Sequence, residues 1–274
     1  MFAPMITRSH LKELRELGRK KSREEQGRFL IEGARMAEEA AASEYEIPEV
    51  LFTEAFAETP SGRAVLKQLH RKKPALTAIT ERDLGSISDT VTAQGIVAVV
   101  SARSVSLEAL VKASRRSVLV GLDAVSDPGN LGSIIRTCDW FGIDGLVVGQ
   151  GSVELYNPKV LRSTMGSIFH LAIVENVDLL SFTGRLKTSG YGVYVADGSG
   201  EVYAEETRYA ERAFVIMGNE ARGVSAALKQ SADSRVAIRR YGPAESLNVG
   251  VACGVLLSTL RVAATSVATG IARP

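Results

Sequence analysis

Residues 117–149 read SVLVGLDAVSDPGNLGSIIRTCDWFGIDGLVVG. SVLVGLD is an unbroken apolar run of strand length, LGSIIRTCDWFG has helical character, and DGLVVG is a second apolar strand. Continuous apolar strands joined by a helical crossover predict a mostly parallel sheet covered on both faces, because a strand buried on both sides has no polar face to alternate with. The pattern repeats toward the C-terminus. Helices are expected in NPKVLRSTMGS, where Pro158 suits a first turn, in VDLLSFTGRLKTSG, in GVSAALKQSA and from near Leu247 onward. Strands are expected in HLAIV, YGVYVAD, RAFVIMG and RVAIR.

Toward the N-terminus the elements are shorter. Leu11, Leu14 and Leu17 predict a first helix, which Gly18 weakens, and IEGARMAEEAAAS a second. EVLFT, ALTAIT and QGIVAVVSA read as strands, with helices in SGRAVLKQLHRKK and ERDLGSIS. This is a second, smaller α/β unit. SARSVSLEALVKASRRS carries a short amphipathic helix between polar flanks and places a boundary within 102–116. The expected domains are 1–104 and 116–274.

Composition narrows the class. The chain has 274 residues, 45% hydrophobic and 23% charged, enough for a sizeable core without disulfides. Cys138 and Cys253 lie in apolar surroundings and read as small buried hydrophobes in a reducing compartment. With only these two cysteines and no ligand spacing among His10, His70 and His170, no metal site is expected. The first residues lack the apolar core of a signal peptide. The most apolar stretch, residues 249–268, is interrupted by Arg261 and reads as a buried helix rather than a membrane span. A cytoplasmic location is expected.

Net charge is only +2, yet eight basic residues face four acidic ones between Arg8 and Arg28. Such a face can hold phosphates, and it can equally be a solvated helix surface with Glu/Lys pairs; charge alone slightly favours the second.

In open α/β sheets ligands sit beyond the carboxyl ends of the strands. Three polar groups follow strands here. After SVLVGLD come Asp127, Pro128, Gly129 and Asn130, turn and cap chemistry, then Arg136 among Ile134, Ile135 and Cys138. A capped helix accounts for Asn130; it does not account for a cation in that setting, which calls for a cleft or an anion. After RAFVIMG come Gly218, Asn219, Glu220 and Gly223, by themselves an ordinary strand-to-helix loop. After RVAIR and a Tyr-Gly-Pro turn, Ser246, Leu247 and Asn248 open an apolar helix, with Ser246 a plausible N-cap. No G-x-G-x-x-G follows any strand, which argues against a dinucleotide site.

Taken in order, Asn130-x-Gly132-x-x-x-Arg136, Gly218-Asn219-Glu220-x-x-Gly223 and Ser246-Leu247-Asn248 resemble the three signature motifs of the SpoU (TrmH) family of RNA 2′-O-ribose methyltransferases. ITRSHLKELRELGRKKSREEQGRFLIEGARMAEEA is similar to the start of the ribosomal-protein-like substrate-binding domain that many members carry, so the resemblance spans nearly the whole chain. It implies a sheet with a deep C-terminal trefoil knot, a feature hydropathy does not reveal. It implies S-adenosylmethionine as methyl donor, held by Met217, Gly218, Asn219, Ile238 and Leu247 with Val195 and Ala196. It implies Arg136, Asn130, Glu220, Ser246 and Asn248 as the catalytic set, with Glu220 paired to Arg136 or another basic residue. A homodimer is implied too, with catalytic residues crossing the interface. In that context Arg8, Lys12, Arg15, Arg19, Lys20 and Lys21 become candidates for RNA phosphate contacts. The favoured target is large-subunit ribosomal RNA, with transfer RNA second; a non-catalytic RNA-binding or ribosome-assembly role is the alternative of another class.

Overall fold

The structure is a computed structural model that describes residues 6–89, 93–111 and 115–269, with side chains through 263. The chain divides into two compact units. One holds the chain up to Ser104 together with Glu154–His170; the other holds Val105–Val153 and the chain from Leu171 onward.

In the first unit the order is α1 (Arg8–Glu16), α2 (Lys20–Gln26), β1 (Arg28–Glu32), α3 (Ala34–Ala42), β2 (Glu49–Phe52), α4 (Glu54–Glu58), α5 (Pro60–His70), β3 (Ala75–Ala78), α6 (Glu81–Ile87) and β4 (Ile96–Ser101). The strands form one sheet, β1-β4-β2-β3, in which β4 is antiparallel to both neighbours and β2 is parallel to β3. Sequence reading misses β1 and α2 and starts the next helix at Ile31. Gly27 explains the miss: at φ 61° it ends α2 in the left-handed region and turns the chain straight into RFLIE. Phe29 and Ile31 then point into the core, and Gly33, at φ 95°, stops the strand before Ala34.

The second unit opens with α7 (Leu107–Leu110), β5 (Ser117–Asp123), α8 (Pro128–Trp140) and β6 (Gly145–Gly149). The chain then supplies α9 (Pro158–Thr164) to the first unit and returns as β7 (Ile173–Val177), α10 (Leu179–Thr188), β8 (Gly192–Ala196), β9 (Val202–Tyr203), β10 (Arg212–Gly218), α11 (Ala226–Ser231), β11 (Ser234–Ala237) and α12 (Val249–Thr269). All seven strands pair in parallel, in the order β7-β6-β5-β10-β8-β11-β9. The short edge strand β9 is not legible from its sequence, and β7 begins three residues later than HLAIV suggests.

The expected range 116–274 assigns Glu154–His170 to the second domain, whereas in the structure this segment packs with the first unit. The buried Arg23 side chain donates from Nε to Glu154 Oε1 at 2.8 Å and from Nη1 to the Leu17 carbonyl at 2.8 Å. Tyr156 stacks on Phe29 with ring centroids 4.2 Å apart, and Phe169 meets Tyr45 edge-on. Hydropathy along the chain cannot show such an exchange, because it is made by side chains far apart in sequence.

Helices α8 and α12 lie side by side and run the same way. A Cβ on Gly250 would stand 3.3 Å from Ser133 Cβ, one on Gly254 would stand 3.8 Å from Thr137 Cγ2, and Arg261 donates to the Phe141 carbonyl at 2.8 Å. Cys138 and Cys253, both fully buried, share this seam, and burial together with the neighbouring Cys253 thiol pushes the Cys138 thiol up. Of the apolar positions on α12, Val249, Leu256, Leu257 and Leu260 are buried, while Val251, Val255 and Val262 remain exposed. Among the described residues no helix is long and apolar enough to cross a membrane.

Candidate functional site

Strand β5 ends at Asp123, and Ala124 follows at φ 57°. This left-handed residue, costly for alanine, turns the chain out of the sheet. Asp127 then caps α8, its Oδ1 accepting the Asn130 amide at 2.8 Å, with Pro128 at the first helical position. The cap is therefore Asp127, and the Asn130 side chain is left free for other work.

Strand β10 ends level with β5, since Gly218 pairs with Asp123. A Cβ on Gly218 would come within 2.2 Å of the Gly223 carbonyl carbon, so no other residue fits there. Gly223, at φ 67°, closes a tight turn in which the Asn219 and Gly223 amides and carbonyls bond reciprocally at 3.1 and 2.8 Å. Asn219 Oδ1 accepts the Ala221 and Arg222 amides at 3.1 Å each, and its Nδ2 donates to the Ala124 carbonyl at 2.8 Å. These bonds hold Glu220 against the head of α8.

Glu220 is cradled from several sides. Oε1 accepts from the Asp127 amide at 3.1 Å and Asn130 Nδ2 at 2.9 Å; Oε2 accepts from the Ser126 amide at 3.2 Å and Ser126 Oγ at 3.1 Å. Burial pushes its pKa up, but the bonds from Asn130 and the backbone amides outweigh that and hold it at about 2. The expected partner of Glu220 was Arg136 or another basic residue; in the structure Asn130 and the 126–127 turn take that place.

The third motif joins through Asn248. Its Nδ2 donates to Asn130 Oδ1 at 2.8 Å, and its Oδ1 accepts the Gly250 and Val251 amides at 2.9 and 3.3 Å. Asn248, not Ser246, is thus the N-cap of α12. The result is a single relay: Glu220 carboxylate, Asn130 amide, Asn248 amide, α12 head. Each asparagine must both donate and accept, which no single-function side chain can do. Two parallel helices therefore present their positive ends at one place.

Ser246 is exposed and takes no part in the relay. Arg136 is also exposed, and among the described residues it has no hydrogen bond or ion pair. Six residues at about 100° each set it roughly 120° around α8 from Asn130. One chain therefore does not bring Arg136 to the relay.

The candidate cofactor residues cluster at the same edge of the sheet. Val195 and Ala196 end β8, Met217 and Gly218 end β10, and Ile238 follows β11; these three strands are neighbours, in register through Val195–Ile216 and Ala196–Val236. Leu247 precedes the α12 cap and is half exposed. Among the described residues, no amide of 239–247 bonds to a backbone carbonyl. Unused backbone groups beside apolar side chains suit an adenosine-bearing ligand such as S-adenosylmethionine.

The six candidate RNA contacts lie on α1, α2 and the turn between them, and all are exposed. Arg15 donates to the Ser86 carbonyl, and Arg19, Lys20 and Lys21 pair with Glu16, Glu24 and Glu25. Among the described residues Arg8 and Lys12 have no such partner. Sequence reading missed the Ser126 and Asp127 amides, which carry no side-chain signature; Asp127 as cap was available from its place before Pro128.

Residues 117–258 match the SpoU rRNA Methylase family, and residues 8–98 match the MRM3-like substrate binding domain. The 23S rRNA (guanosine(2553)-2′-O)-methyltransferase RlmP of Bacillus subtilis is 37% identical over 92% of this chain and 95% of its own. An AdoMet-bound rRNA methyltransferase from Sinorhizobium meliloti superposes with a TM-score of 0.84 at 25% identity, covering 96% of this chain and 97% of that one. The SpoU methyltransferase AviRb from Streptomyces viridochromogenes, also in complex with AdoMet, shares the fold with a TM-score of 0.84 at 24% identity over 93% of this chain and 99% of its own. The fold is thus the parallel, knotted α/β fold of these enzymes behind a smaller N-terminal domain. With all three motifs joined in one relay and the family model spanning more than half its length, the chain belongs to the SpoU rRNA methylase family.

Proposed function

We propose that this S-adenosylmethionine-dependent enzyme methylates a ribose 2′-hydroxyl of large-subunit ribosomal RNA. The observation that carries the reading is the Glu220–Asn130–Asn248 relay at the carboxyl edge of the sheet. S-adenosylmethionine supplies an electrophilic methyl group and leaves as a neutral thioether. The protein's task is to align the ribose oxygen and handle its proton. Asn130 and Asn248, locked by the relay, position the ribose. Arg136 binds the adjoining phosphate and stabilises charge growing on the 2′-oxygen; with a pKa above ~12 it is a poor base, and the proton leaves through phosphate or water.

Because Arg136 points away from its own relay, the working site takes Arg136 from a second copy. Exposed Val251, Val255 and Val262 on α12, with exposed Trp140 on α8, provide apolar surface for a homodimer. The enzyme acts in the cytoplasm. Mapping ribose methylation in ribosomal and transfer RNA from cells with and without the gene tests the target: loss of one ribosomal 2′-O-methyl supports the proposal, and loss of a transfer-RNA methyl or of none overturns it.

Two further outcomes follow. Leu247→Arg puts a charge against the cofactor edge and is expected to weaken S-adenosylmethionine binding at least about tenfold by calorimetry, without unfolding a chain in which Leu247 is half exposed. Arg8 and Lys12, cations of α1 without an ion pair among the described residues, are expected to touch phosphates. Replacing both with alanine lowers the slope of log K against log salt by about 1.4 to 1.8. An unchanged slope assigns that face to solvent.

A further inference from the structure

The segment between β11 and α12 runs Ile238-Arg239-Arg240-Tyr241-Gly242-Pro243 before reaching Asn248. Its root is fixed. The Arg239 guanidinium lies 3.7 Å over the Tyr203 ring on β9 and bonds to Glu205 at 2.8 Å and to Glu206 at 2.7 Å. Two carboxylates thus neutralise Arg239. Among the described residues Arg240 has only a 3.5 Å bond to the Ala244 carbonyl and no carboxylate partner, and it is exposed. Tyr241 is 91% exposed, the most exposed of the large apolar side chains among the described residues, and neither its ring nor its hydroxyl has a partner.

A single exposed aromatic is ordinary. This one stands two residues beyond a clamped root, beside a free guanidinium, on the segment that ends in the Asn248 cap of the relay. It contributes nothing to the core. Exposed rings beside cations are the means by which proteins hold unpaired bases and the backbone that carries them. A self-association face is the weaker fit: the apolar stripe lies on α12, whereas this segment is charged and tipped by one ring.

We propose that Tyr241 is a stacking platform for an unpaired RNA base near the methylated ribose, and that Arg240 holds a phosphate of the same strand. The inference rests on the RNA methyltransferase reading above. Filter binding and methyl transfer with ribosomal RNA purified from cells lacking the gene provide the test. Tyr241→Ala and Tyr241→Leu are each expected to raise the Kd roughly tenfold, while Tyr241→Phe keeps the wild-type value, because stacking needs the ring and not the hydroxyl. Arg240→Ala lowers the salt slope by about 0.7 to 0.9. These side-chain changes leave the 239–247 amides in place, so S-adenosylmethionine affinity and sedimentation remain those of the wild type. A Tyr241→Leu enzyme that binds RNA like the wild type overturns the platform. So does loss of S-adenosylmethionine binding in Tyr241→Ala, which assigns the ring to the cofactor pocket, or a change of oligomeric state, which assigns it to contact between copies. If the wild-type chain neither binds nor methylates ribosomal RNA, the functional reading falls, and the platform falls with it.

Discussion

Arg136→Ala is expected to cut methyl transfer by roughly a hundred- to a thousand-fold, the usual cost of removing one group that stabilises developing negative charge. The fold does not suffer, because Arg136 is exposed and unpaired among the described residues, and substitutions at such positions stay within about 0.5 kcal/mol. Binding of S-adenosylmethionine by calorimetry is expected to be unchanged, since the proposed cofactor residues lie at the ends of β8, β10 and β11 while Arg136 is midway along α8. A mixed experiment sharpens the result. If a second copy supplies the arginine, inactive Arg136→Ala chains mixed with inactive Asn130→Ala chains regain part of the activity, because one of the two sites in the hybrid is intact. Near-normal turnover of Arg136→Ala alone removes the residue from the mechanism.

Glu220→Ala is expected to lower turnover roughly a hundred-fold through geometry, since misplacing a reacting group by about 1 Å has that effect. Without the carboxylate, Asn130 loses the acceptor that orients its amide, and Asn248 loses a fixed partner. Stability should fall by only about 1–2 kcal/mol, because the carboxylate is partly solvated and water replaces some of its bonds. The sign with pH is definite. The folded-state pKa of Glu220 is depressed to about 2 from an ordinary value near 4.5. Its ionised form therefore favours the fold fully above the ordinary value, and that contribution disappears as pH falls through the window from 4.5 to about 2. In thermal melts the wild type should lose stability across this window more steeply than Glu220→Gln, which has no proton to take up. Parallel curves for the two proteins would deny Glu220 its cradle.

The mostly parallel sheet was legible because strands such as SVLVGLD and RAFVIMG are apolar throughout, and burial on both faces is the only environment that suits them. The three motif groups were legible as well, since turn glycines and cap residues carry local chemistry that does not depend on distant partners. Gly223 is required by its own left-handed backbone, and Gly218 by the close approach of the Gly223 and Val224 backbone a few residues on. What local sequence determined is therefore the kind of sheet, the order of its elements and the residue types at its carboxyl edge. Tertiary structure decided who meets whom. Asn130 reaches across 90 residues to Glu220 and 118 to Asn248, and Arg23 reaches across 131 to Glu154. It gave Glu220 the Asn130 amide and the 126–127 turn in place of the basic partner expected, Arg136 or another, moved the α12 cap from Ser246 to Asn248, and gave Glu154–His170 to the first unit. Propensity and periodicity act within a turn or two of the chain, whereas a hydrogen bond needs two groups within about 3 Å, and only the closed fold brings them there.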